Sequence, residues 1–144
     1  MKILIPTDGS VYSSNAAKVA AKIALGHDYK LLVLHVVPDK GFKRKKWQKE
    51  GAENAISGIT DILVKAGCEI ERIESIIKDG NAPEMIVKVA RKQNADRIVI
   101  GTHGKNGLKK LMGSVTEKVL QISDVLVLVV PPKYTAHIDN INDE

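Results

Sequence analysis

The sequence predicts an α/β fold: one domain built on an open five-stranded parallel sheet, strand order 3-2-1-4-5, with helices on both faces. Three observations carry this. Apolar runs of strand length alternate with longer helical patterns, the signature of right-handed βαβ units. The run Leu31 to Leu34, followed by Val36 and Val37, is almost unbroken, as a strand buried on both faces requires. Glycine-bearing loops follow the first and fourth strands, where a chain that winds outward and then crosses back would reverse its order.

The first strand runs from Lys2 to Pro6. Asp8, Gly9 and Ser10 follow it as turn and cap for the first helix. The second strand spans Lys30 to Val37. In the next helical pattern Ala52, Ala55, Ile56, Ile59, Ile62, Leu63 and Ala66 recur at spacings of three and four, and Gly67 ends it. The third strand, about Glu69 to Lys78, mixes Ile70, Ile73, Ile76 and Ile77 with charges, which suits a sheet edge. Asn81 then caps a helix that tolerates Pro83 in its first turn and places Glu84 near the positive end of the helix dipole. The fourth strand is Arg97 to Gly101. A fourth helical pattern sets Met112, Val115, Val119 and Ile122 on one face. The fifth strand, Val125 to Val130, is stopped by Pro131-Pro132. Residues 1–132 form the expected domain; residues 133–144 are a polar tail expected to fray.

Bulk properties narrow the function classes. At 144 residues, 44% hydrophobic and 27% charged, the chain has the makeup of an ordinary soluble domain. The four-residue apolar stretch near Met1 is too short for a signal core or a membrane span, and the lone Cys68 suits a reducing compartment; a cytoplasmic protein is expected. The net charge of +5 includes the run Lys43, Arg44, Lys45, Lys46 and Lys49 around Trp47. One short run with one aromatic reads as a solvated helix start, so nucleic-acid binding is not expected. The four histidines are scattered, and no protein metal site is expected. Neither a P-loop nor a G-x-G-x-x-G fingerprint occurs.

A ligand site in such a sheet lies at the carboxyl ends of the strands, where their order reverses. That selects Pro6-Thr7-Asp8-Gly9-Ser10 and the loop from Gly101 to Gly107. Gly101, Gly104 and Gly107 let backbone N–H groups approach a phosphate, with Lys105, Lys109 and Lys110 supplying charge; turn geometry alone also accounts for the glycines. Ser114 can cap the fourth helix or donate to a phosphate oxygen. Asp8 can accept from an adenine amine or a ribose hydroxyl, or simply hold its turn.

Ile3-Leu4-Ile5-Pro6-Thr7-Asp8-Gly9-Ser10, Leu34-His35-Val36, Gly101-Thr102-His103-Gly104 and Gly113-Ser114-Val115 together resemble the universal stress protein family, over Met1 to about Pro132. The resemblance implies a Rossmann-like sheet of the adenine nucleotide alpha hydrolase type. It also implies ATP held by Gly101, Gly104, Gly113, Ser114 and Val115 at the phosphates or ribose, with Mg2+ carried by the nucleotide. Pro6, Thr7 and Asp8 would line the adenine and ribose side, and the Val36 backbone would meet the ring. The family spaces its second and third glycines by nine residues, whereas eight separate Gly104 from Gly113. The consistent apolar stripe of Met112, Val115, Val119 and Ile122 favours absorbing the deletion in the turn. A homodimer paired through the strand Val125 to Val130 is implied, acting as a stress-response regulator or sensor without catalytic residues. Two alternatives stand beside it: a dimeric interaction module that binds no nucleotide, and an ATP-cleaving enzyme, for which a pyrophosphate loop after the first strand is missing.

Overall fold

The computed structural model describes residues 1–38, 46–104 and 112–134. In chain order the elements are β1 (Lys2–Pro6), α1 (Val11–Ala24), β2 (Lys30–Val37), α2 (Lys46–Lys65), β3 (Ile73–Asp79), α3 (Ala82–Lys92), β4 (Arg97–Gly101), α4 (Ser114–Ile122) and β5 (Leu126–Val130). All strand pairs are parallel and their order is β3-β2-β1-β4-β5, as expected. Pro6 lies opposite Leu34, and Gly101 opposite Val130.

Side chains alternate along each strand, so the sheet builds two cores. Ile3, Ile5, Leu31, Val33 and Val99 face α1 and α2, meeting Ile56, Ile59 and Leu63. Leu4, Leu32, Leu34, Ile98 and Ile100 face α3 and α4, meeting Ile86, Val87, Val89 and Val119. Each of these large side chains that is fully buried contributes roughly 1.5–3 kcal/mol relative to exposure. The face that α1 presents is made of Ala16, Ala17, Ala20, Ala21 and Ala24. Without bulk between them, helix and sheet approach closely, and this determines the glycine at the end of β4.

Local signals act as the chemistry dictates. Asn81 accepts from the Glu84 N–H at 3.3 Å, with Pro83 in the first turn of α3. Gly67, at φ 103°, terminates α2 in a conformation that costs a side-chain-bearing residue energy. β5 ends at Val130, before Pro131.

Three expectations need correction. β3 starts at Ile73 rather than near Glu69, because Ile70–Arg72 forms a 3-10 turn in which Arg72 bridges Glu69 at 3.2 Å and Asp28 at 2.8 Å. β5 starts at Leu126, since the Ser123 side chain accepts from the Val125 N–H at 3.0 Å and holds that residue in a turn. On α4 Val119 and Ile122 pack into the core as expected, but Met112 precedes the helix and Val115 is exposed, the inward place in the first turn being taken by Thr116. The Thr116 hydroxyl is held there by donating to the Gly101 carbonyl at 2.7 Å.

The free Cys68 is half-buried, and burial pushes its thiol above the usual range. It stays protonated at neutral pH and is a poor nucleophile. Among the described residues no helix is long and apolar enough to cross a membrane. Of the basic run, Lys43, Arg44 and Lys45 lie outside the described residues, and Trp47 and Lys49 are exposed on α2.

Candidate functional site

Where β1 ends, the chain folds into a hydrogen-bonded turn. Asp8 accepts from the Ser10 N–H through Oδ1 at 2.9 Å, Gly9 adopts φ 83°, and Ser10 caps α1 by accepting from the Ser13 N–H at 3.4 Å. Beneath it, the buried Thr7 hydroxyl donates to Ser13 Oγ at 3.0 Å and accepts from the Gly9 N–H at 3.1 Å. Ser13 passes the network on by donating to the Ser10 carbonyl at 2.8 Å. The turn reading of Asp8 therefore holds for Oδ1, and Oδ2 points elsewhere.

It points to the loop after β4. A Cβ built on Gly104 would sit 2.6 Å from Asp8 Oδ2. One on Gly101 would sit 2.6 Å from the Tyr12 carbonyl oxygen, where the first turn of α1 crosses β4. One on Gly113 would lie 3.2 Å from both His103 Cα and the Thr102 carbonyl oxygen, and the Gly113 N–H donates to that oxygen at 2.8 Å. Gly101 and Gly113 thus face close approaches of the protein's own backbone, whereas Gly104 meets the end of a side chain. The Gly113 to Thr102 bond closes the stem of the loop whose residues 105–111 lie outside the described residues. Lys105, Lys109, Lys110 and the expected absorption of the deletion fall there.

Between these loops is a cavity of about 280 Å³. Pro6, Thr7, Asp8, Val36, Gly101, Gly104, Gly113, Ser114 and Val115 all line it, while Lys105, Gly107, Lys109 and Lys110 lie outside the described residues. The structure adds Ser13, Leu34, Ala82, Ile86, Ile100, His103 and Thr116. Ile86 and Ala82 come from the first turns of α3 and make an apolar wall. His103 is buried, with Nδ1 2.8 Å from the Thr102 hydroxyl and its ring 5.6 Å from that of Tyr12. Its place in the Gly101 to Gly104 motif was the available signal for it; the apolar wall had none.

The cavity is apolar on the α3 side and polar on the other. Gly113, not Ser114, occupies the N-cap of α4, and having no side chain it makes no side-chain cap bond to the first N–H groups of the helix. Ser114 is exposed, with its hydroxyl beside them. Such a helix start favours anions. Among the described residues no cluster of three or more His, Cys, Asp or Glu side chains is placed to hold a metal.

A cleft at the carboxyl ends of a parallel sheet, at its order reversal, with an apolar wall and a helix N-terminus, stands where doubly wound α/β proteins place their ligands. The chain belongs to the universal stress protein family, whose model matches residues 1–131. It is 37% identical over 140 residues to universal stress protein MJ0531 of Methanocaldococcus jannaschii, covering 90% of this chain and 81% of that protein. It is similar to the solved structure of protein MJ0577 of the same organism, at 34% identity and TM-score 0.78, covering 93% of this chain and 97% of that one. A universal stress protein solved in complex with cAMP is 27% identical with TM-score 0.71, covering 90% and 96%. Another, from Archaeoglobus fulgidus in complex with dAMP, is 25% identical with TM-score 0.74, again over 90% and 96%.

Proposed function

We propose that this protein binds an adenine nucleotide in the cavity between β1, β2 and β4, and acts as a dimeric regulator or sensor in the stress response. The observation that carries the reading is the first turn of α4, which has no side-chain cap from its N-cap Gly113 and lines the same cavity as Asp8 and Val36. The helix start supplies N–H donors to phosphate, and the α3 wall covers an aromatic ring. The relatives solved with cAMP and dAMP support the adenine base. In this reading Pro6, Thr7 and Asp8 line the base and ribose, Val36 meets the ring through its main chain, and Gly101, Gly104, Gly113, Ser114 and Val115 surround the phosphates. Lys105 contributes charge, ATP is the physiological ligand, and Mg2+ arrives with it. Asp8 is the one carboxylate among the described residues that line the cavity, and its turn engages it, which supports a binder rather than a catalyst. The free Cys68 supports a cytoplasmic setting.

Calorimetric titration of nucleotide-stripped protein with ATP and magnesium, beside AMP, tests this. Binding is expected in the micromolar range, about −8 kcal/mol. Ser114→Ala removes an exposed hydroxyl that makes no cap bond, so it is expected to weaken ATP about tenfold, the worth of one hydrogen bond, without changing stability. No binding of any adenine nucleotide would favour the interaction module instead, the reading that the short Gly104 to Gly113 spacer supports.

β5 forms the sheet edge, with Leu126 75% and Leu128 41% exposed. An apolar edge of this kind invites pairing, and we assign it to a second copy about a two-fold axis. Sedimentation at micromolar concentration is expected to give the mass of two chains, and Leu128→Asp the mass of one. A monomeric wild-type protein would overturn the assignment.

A further inference from the structure

Val36 lines the cavity, and the direction of its main chain follows from the ladder two residues earlier. In a parallel ladder, alternate residues of a strand turn both N–H and C=O toward the same neighbour. Thr7 N donates to the Leu34 carbonyl at 2.8 Å, so Leu34 faces β1, and Val36 faces the same side. Val37 accepts from the Gly80 N–H at 2.9 Å, which fixes the odd-numbered residues toward β3. β1 and β2 stop pairing at Pro6 and Leu34. The next acceptor along the ladder is the Thr7 carbonyl, and it lies 2.8 Å from His35 Nδ1. A carbonyl only accepts, so Nδ1 carries the hydrogen.

We propose that His35 is a positioning residue: by donating to the Thr7 carbonyl it ends the β1–β2 ladder one step early and leaves the Val36 N–H and C=O facing the cavity as the hydrogen-bonding edge for the base. A donor and an acceptor side by side on one strand match the N1 and amine of an adenine ring. The side chain thereby sets base recognition without touching the base. This rests on the nucleotide reading above.

The test uses the full chain. Val36 amide exchange, read by NMR, reports the edge whether or not a nucleotide binds. It is expected to be fast in the wild type and in His35→Asn, whose amide N–H can stand in for Nδ1–H. In His35→Leu the Thr7 carbonyl loses its partner and is expected to pair with Val36, slowing exchange about tenfold or more, as one added backbone bond would. Adenosine and AMP affinity should fall about tenfold in His35→Leu, with ribose 5-phosphate affinity unchanged and His35→Asn within about threefold of wild type. Slow exchange at Val36 in the wild type overturns the proposal whatever the variants do, including a His35→Leu that does not fold. So does a His35→Leu with wild-type exchange and adenine affinity, or a His35→Asn as impaired as His35→Leu. Absence of adenine binding by the wild type would instead refute the nucleotide reading, and Val36 exchange would still decide the role of His35.

Discussion

Gly101→Ala is expected to lower the stability of the ligand-free protein by about 3 kcal/mol, the upper part of the range for overpacking a tight site. The new Cβ would lie 2.6 Å from the Tyr12 carbonyl oxygen and 2.8 Å from its carbonyl carbon. Both are backbone atoms in the first turn of α1, so no side-chain rotation relieves the clash. Retreat of the helix would open the contact between its alanine face and Ile3, Ile5 and Val99, and would pull on the Gly101 carbonyl that holds Thr116. Urea denaturation without nucleotide should show the midpoint falling with an unchanged slope. A loss below about 0.5 kcal/mol, the usual range for an innocuous surface change, would sink the argument and return Gly101 to a purely ligand-facing role.

Gly104→Ala should behave in the opposite way. Its Cβ meets Asp8 Oδ2 at 2.6 Å, the end of a side chain that can move. Stability should change little, but the carboxylate must leave its position over the cavity. Loss of one hydrogen bond to a charged group, about 1.5–3 kcal/mol, corresponds to a roughly ten- to hundredfold weaker adenine nucleotide. A double-mutant cycle isolates the cause. If displacement of Asp8 is what matters, adding Gly104→Ala to Asp8→Ala should cost almost nothing further; additive losses would show that Gly104 acts on the ligand independently.

Much of this architecture was legible in the sequence because it rests on local chemistry. Unbroken apolar strands, the Asn81 cap, Pro83 and Gly67 each declare an element or its end, and the reversal rule then locates the cleft. Other features were hidden because they are contacts between distant segments. The inward place in the first turn of α4 is taken by a threonine hydroxyl, which hydrophobic periodicity scores as polar, so that periodicity puts Val115 on the core side instead. The start of β3 depends on Arg72 reaching Asp28, forty-four residues away. His35 could be read as part of a motif, but its bond to the Thr7 carbonyl follows only from the register of β1 and β2.

The backbone contacts of Gly101 and Gly113 also bear on how relatives of this chain should be read. A lineage that abandoned its ligand would still have to keep these two glycines for as long as it kept the helix crossing and the closed loop stem. The signature is therefore inherited with the scaffold, and its survival in a descendant is a poor witness to what that descendant binds. Drift should appear first at positions the scaffold does not police: exposed Ser114, and Asp8, whose turn an asparagine can make equally well.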